Sequence, residues 1–143
     1  MADALAYVLK LDQITPSLKN LDDEALERRI VQGMATVVES MAVRAFDEPG
    51  LRPTSWPARK KAASHPLLIK SGNLRQGIHS TVKSREAVVG SPTPYAAVHQ
   101  LGGIKRPIPA RPFFPVLEDQ LTGNATEEIN EVVAALVGAA AAP

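Results

Sequence analysis

The 143-residue chain contains no cysteine, which excludes disulfides and thiolate metal sites and suits a reducing compartment. Aromatic residues are scarce: three Phe, two Tyr and one Trp. At 45% apolar content the chain has material for a core, but that core must rest on Val, Leu, Ile, Met and Ala. No apolar run approaches the ~20 residues that cross a bilayer. Met1 to Lys10 lacks a basic opening, and its apolar run is too short for a signal peptide, so the expectation is a soluble protein without membrane contact. No Gly-Lys-Ser/Thr follows a strand and no Gly-x-Gly-x-x-Gly occurs, so phosphate-cradling loops are missing too. Neither a helix-turn-helix nor a zinc module is present, which removes sequence-specific nucleic-acid recognition.

Acids are nearly absent from the middle and bases from the end. Residues 51–111 hold eleven bases (Arg52, Arg59, Lys60, Lys61, Lys70, Arg75, Lys83, Arg85, Lys105, Arg106, Arg111) against Glu86 alone, a net +10. After Arg111 there are five acids (Glu118, Asp119, Glu127, Glu128, Glu131) and no base. Residues 1–50 are acidic as well, so the overall +1 conceals a basic centre between acidic ends. Such a chain pairs head to tail with copies of itself, meets a polyanion, or balances its charges within one fold. Arg59-Lys60-Lys61 with Lys70, Arg75, Lys83 and Arg85 supply the charge to line a DNA passage, since phosphate contacts need no base readout. Stacking platforms for single strands are lacking, with only Trp56 nearby.

What is there organises into an α+β domain. Leu26, Ile30, Met34, Val37, Val38, Met41 and Ala45 recur at spacings of three and four, predicting a long helix over 25–46 that Asp22 or Asp23 caps. Gly33 within it costs about 1 kcal/mol relative to Ala. Residues 47–70, with Pro49, Gly50, Pro53, Pro57 and Pro66, predict a long irregular loop that Trp56 pins to the core. Ile78–Lys83 and Ala87–Gly90 around a polar turn predict an antiparallel hairpin. Tyr95–Leu101 reads as a short helix ended by Gly102-Gly103. Four prolines between Lys105 and Pro115 force an extended strap at a sheet edge or in a loop. Phe113 and Phe114 cannot both face inward on an extended strand, so one is expected to meet a neighbour or the long helix. Thr126 reads as the cap of a C-terminal helix bearing Ile129, Val132, Val133, Leu136 and Val137. Ala6–Leu11 reads as a strand or docking arm, giving an arm over 1–20 and one domain over 21–143.

Nothing in this pattern marks a reaction centre. His99 has no acid nearer in sequence than Glu86 and Glu118, so a general base lacks its orienting partner and a structural histidine bonded to backbone is expected. His65, His79 and His99 are spaced unlike any familiar ligand set, and no cofactor or metal is implied. Acids near helix starts serve the helix dipole. Arg111, rigidly placed between Ala110 and Pro112, is expected to pair with a carboxylate within or between subunits.

Three signatures follow one another: Ser71-Gly72-Asn73-Leu74-Arg75-Gln76-Gly77-Ile78, Tyr95-Ala96-Ala97-Val98-His99-Gln100-Leu101-Gly102-Gly103, and Ile108-Pro109-Ala110-Arg111-Pro112-Phe113-Phe114. With Trp56, the basic cluster after it, Leu68 and Gly90, their order and spacing resemble the virion morphogenesis (tail completion, neck) proteins of tailed bacteriophages over about residues 21–138. The loop before Trp56 departs from that pattern, carrying Pro53-Thr54-Ser55. The resemblance implies a non-enzymatic structural subunit of a phage or prophage particle, assembled in the bacterial host cytoplasm. It implies a ring, with six copies as the family expectation, at the neck or tail-proximal end beside other neck, connector or tail proteins. On that reading the contacts to neighbours fall on Trp56, Arg59, Lys60, Lys61, Tyr95, His99, Gln100, Arg111, Phe113 and Phe114. Lys70, Arg75, Lys83 and Arg85 then line a channel for non-specifically held DNA. The alternative is a basic DNA-binding or DNA-packaging accessory protein.

Overall fold

The computed structural model describes residues 3–18, 20–58, 73–103 and 108–141. Strand β1 (Leu5–Lys10) runs directly into a single helical turn, α1 (Leu11–Ile14), and a 3-10 turn at Pro16–Leu18. The long helix α2 (Glu24–Arg44) follows, then a 3-10 turn at Pro49–Leu51 and the short α3 (Asn73–Gln76). Strands β2 (His79–Lys83) and β3 (Glu86–Ser91) lead to α4 (Ala96–Leu101). A small hairpin, β4 (Val116–Leu117) and β5 (Gln120–Leu121), precedes the last helix, α5 (Gly123–Ala141). The main sheet has the order β1-β3-β2 with every pair antiparallel, so the architecture is α+β. The N-terminal stretch read as strand or arm is therefore an edge strand of the sheet, in register Leu5 to Ser91 through Lys10 to Glu86.

Helix α2 is the axis of the fold. Asp23 accepts a hydrogen bond from the Leu26 amide at 3.1 Å, and Glu24, Glu27 and Arg44 stand at the ends their charges favour. Its buried residues spread well beyond one stripe, because the sheet packs on one side and α5 on another. Gly33 marks the crossing with α5. A β-carbon there would sit 2.8 Å from Val132 Cγ1, so the close helix approach explains a residue that propensity alone disfavours.

Alternation along the strands decides which side faces α2. Leu9, Ala87 and Val89 are buried on the inner side, where Ser80 Oγ also donates to Glu39 Oε2 of α2 at 2.6 Å. On the outer side lie Ala6, Val8, Lys10, Thr81 and Lys83, all exposed. One outer position is buried: Gly90. A β-carbon there would lie 2.5 Å from the Leu5 carbonyl oxygen and 2.8 Å from Asp3 Oδ2. The missing side chain lets Asp3 reach across the central strand to His79 Nε2 on β2, at 2.6 Å. The chain's start is thus tied to the far edge of the sheet.

The aromatics are few but concentrated. Trp56, Phe46, Phe113, Phe114 and Tyr7 form one continuous array, with successive ring centroids 5.9, 5.3, 4.9 and 5.4 Å apart. Only Tyr95 of the six aromatic residues stands outside it. Phe113 and Phe114 are both fully buried, so the expectation that they cannot both face inward is corrected. The strap is not a strand here: it bends at Phe114-Pro115, where Val116 N donates to Phe114 O at 2.7 Å, and strand alternation does not apply. A second correction concerns α5. It starts at Gly123, and the capping oxygen is Thr122 Oγ1, which accepts from Ala125 N at 3.3 Å, not Thr126. The hairpin β4–β5 was not expected at all; it closes through Glu118 and Asp119 at φ +52° and +62°, a primed two-residue turn.

Candidate functional site: a clamped strap beside helix α4

The prolines of the strap leave it few amide donors, and the described neighbours answer them and its carbonyls one by one. Gln100, buried on α4, does most of this. Its Oε1 accepts from Phe113 N at 2.9 Å and Phe114 N at 3.0 Å, while Nε2 donates to Phe114 O at 3.3 Å. One amide side chain therefore satisfies three buried backbone groups. Trp56 Nε1 donates to Pro112 O at 2.8 Å, which pins the Pro-rich loop onto the strap as its sequence suggested. Arg111 N donates to His99 O at 2.6 Å, and Arg111 Nε to Pro57 O at 2.9 Å. Helix α4 ends at Gly102, φ +87°, whose amide returns to Val98 O.

Of the residues expected to contact neighbours, Trp56, Tyr95, His99, Gln100, Arg111, Phe113 and Phe114 come together here. They are not alike. Gln100, Phe113 and Phe114 are buried within the chain and hold the strap in place, so in this fold they offer no surface to a partner. Tyr95 is 43% exposed, and Arg111 turns its guanidinium outward, with a backbone carbonyl rather than the expected carboxylate as its described partner. Arg59, Lys60, Lys61 and Lys70 lie outside the described residues, as does His65.

His99 packs its ring edge-on to Tyr95, centroids 5.6 Å apart. Among the described residues its Nδ1 is buried with no hydrogen-bond partner, so the expected bond to backbone is not made through that nitrogen. Burial, and next the Arg111 charge, push the imidazole below its ordinary range and keep it neutral. In acid the unfolded chain then binds a proton that the folded one resists, so stability falls as pH drops through the free-histidine range. We expect His99→Gln to remove this component. Urea unfolding at pH 7, 6 and 5 should show a shallower loss than in the wild type, the difference reaching at most about 1.4 kcal/mol per pH unit. Identical slopes would refute the assignment.

Of the four residues expected to line a DNA channel, Arg75 and Arg85 are engaged within the chain. Arg75 pairs with Asp47 at 2.9 Å. Arg85, on the β2–β3 turn, binds Glu27 of α2, Asp12 of α1 at 2.6 Å, and the carbonyls of Leu18 and Leu21. It thereby staples the sheet to the N-terminal turns, and these partners hold its charge still more firmly, raising its pKa. Lys83 stays exposed on the outer sheet face. Arg52, which sequence reasoning passed over, donates to Ala45 O at 2.6 Å and Phe46 O at 3.1 Å just beyond the end of α2, and lies 3.6 Å over the Trp56 ring. Its position four residues before a tryptophan was the available signal.

A cleft of about 470 Å³ opens between β1, α1 and the β4–β5 hairpin, lined by Lys10, Gln13, Asp119 and Gln120 among others. Tyr7 beside it has its hydroxyl pushed up by burial and by Asp119, so it stays protonated. Among the described residues no three His, Asp or Glu side chains converge as a metal set. No described helix is long and apolar enough to cross a membrane.

A model of the phage virion morphogenesis family matches residues 9–138. The chain is 34% identical over 131 residues to "Mu-like prophage FluMu G protein 2" of Haemophilus influenzae, covering 87% of this chain and 92% of that protein. No solved structure matches. With the family model matching residues 9–138 and a relative 34% identical along most of both chains, the chain belongs to the phage virion morphogenesis family, proteins that serve the building of phage particles.

Proposed function

We propose that the chain is a non-enzymatic structural subunit that closes into a ring with copies of itself at the head–tail neck or the tail-proximal end, completing the tail and joining it to the head. The observation that carries this reading is the family match across residues 9–138, which takes in α2, strands β2 and β3, the strap and most of α5. The local structure agrees with it: the His99 ring packs against Tyr95, and Gln100 spends its side chain on the strap's backbone. Six copies is the number the resemblance carries, and a heterologous contact repeated about a closed rotation gives such a ring. Adjoining virion proteins are then its other partners, and assembly takes place in the host cytoplasm. DNA passing through the ring would be held without sequence preference.

The competing reading, a DNA-binding accessory protein, loses support because Arg75 and Arg85 are paired with carboxylates inside the chain. A salt titration separates the two. We expect weak binding to duplex DNA at 150 mM salt, and submicromolar affinity with a steep salt slope would favour the rival. The role itself is tested by deleting the gene from the encoding phage or prophage. Filled heads and separate tails should accumulate and join when the protein is supplied in trans; tailed, infectious particles from the deletion would contradict it.

A further inference from the structure

Four large apolar side chains remain exposed among the described residues, and two of them flank α4: Tyr95 at 43% and Leu101 at 67%. Arg111 stands in the same neighbourhood, its backbone amide on His99 O and its guanidinium outward. From Ala87 to Leu117 the sequence has no acid and three bases, Lys105, Arg106 and Arg111. This surface, in its described part, carries exposed apolar side chains and the Arg111 cation.

Its complement lies at the other end of the chain. The acids of the N-terminal third meet bases of the middle within the fold, as in Asp12–Arg85, Glu27–Arg85 and Asp47–Arg75. The acids of α5 do not, apart from Glu128, which lies 3.6 Å from Arg44. Glu127 and Glu131 are exposed one helical turn apart on the same face, and no ion pair forms at either among the described residues. The exposed positions that follow, Ala134 and Ala135, are small and leave room for Leu101 and Tyr95 to approach. We propose that the α4 surface receives α5 of a second copy, with Arg111 facing Glu127 and Glu131 and the exposed Tyr95 and Leu101, at the two ends of α4, resting beyond them. The contact is heterologous, joining two different surfaces, and so propagates from copy to copy as a ring requires. This rests on the ring reading above and names its interface.

The test is self-association of the full chain by sedimentation equilibrium in low and high salt. Leu101→Asp, at a site 67% exposed, and Arg111→Glu are each expected to raise the dissociation constant by about ten-fold or more, as is Glu131→Arg. The double variant Arg111→Glu/Glu131→Arg restores the pair in every interface and should recover most of the affinity. Thermal unfolding of Leu101→Asp should match the wild type, which separates interface loss from folding loss. If the wild type assembles and all three single variants assemble equally well, this interface is wrong while the ring reading stands. A wild type that never associates overturns both.

Discussion

Gln100→Leu is expected to cost about 3–5 kcal/mol of folding stability, the largest effect of any single substitution considered for this chain. Leucine keeps most of the volume and the apolar fit, so the loss is not a cavity effect. It arises because the Phe113 amide, the Phe114 amide and the Phe114 carbonyl all rely on that one side chain. Each becomes a buried polar group without a partner, at about 1–3 kcal/mol apiece, partly relieved as the strap shifts toward water. The control is the adjoining residue. Leu101→Ala, at an exposed site, should change stability by no more than about 0.5 kcal/mol. Urea unfolding followed by Trp56 fluorescence suits both, since Trp56 reports on the strap through its bond to Pro112. Equal midpoints for the two variants would show that the clamp is not what holds the strap.

Gly90→Val should act on the other end of the molecule. Its β-carbon would fall 2.5 Å from a backbone oxygen of β1, which cannot rotate aside, and 2.8 Å from the Asp3 carboxylate. Overpacking of this kind costs about 1–3 kcal/mol. Here it should be local: β1 lifts from β3 and the Asp3–His79 bond breaks. Hydrogen exchange should show the amides of Leu5–Lys10 that bond to β3 losing protection, while those of α2 and α5 keep theirs. Unchanged protection in β1 would mean that the close approach at Gly90 is dispensable.

How much of this was legible without coordinates depended on how local each signal was. The 3.6-residue repeat and the Asp22-Asp23 cap signal located α2, and alternation around a polar turn located the β2–β3 hairpin, because period and turn chemistry are carried by adjacent residues. Trp56 amid prolines announced its packing against the core, where it is partly buried. The Phe113-Phe114 pair misled because a period of two was applied to a strap whose bend lets both rings turn inward. The β4–β5 hairpin left no trace, since two-residue strands have no period and Glu118-Asp119 is not an expected turn pair. Gln100 gave no sign of its role either: its partners are 13 and 14 residues away and are backbone groups, which sequence does not distinguish. Charge segregation was real but incomplete as a guide. Arg85 finds its acids 58 and 73 residues upstream, so part of the basic centre is neutralised by folding before any partner arrives.

The mass of the assembled species decides most directly whether these surfaces exist to bind further copies. Native mass spectrometry across a concentration series should show the 15.3 kDa subunit giving way to a single closed oligomer of fixed stoichiometry, six copies on the family expectation. A 15.3 kDa particle at every concentration would contradict the account.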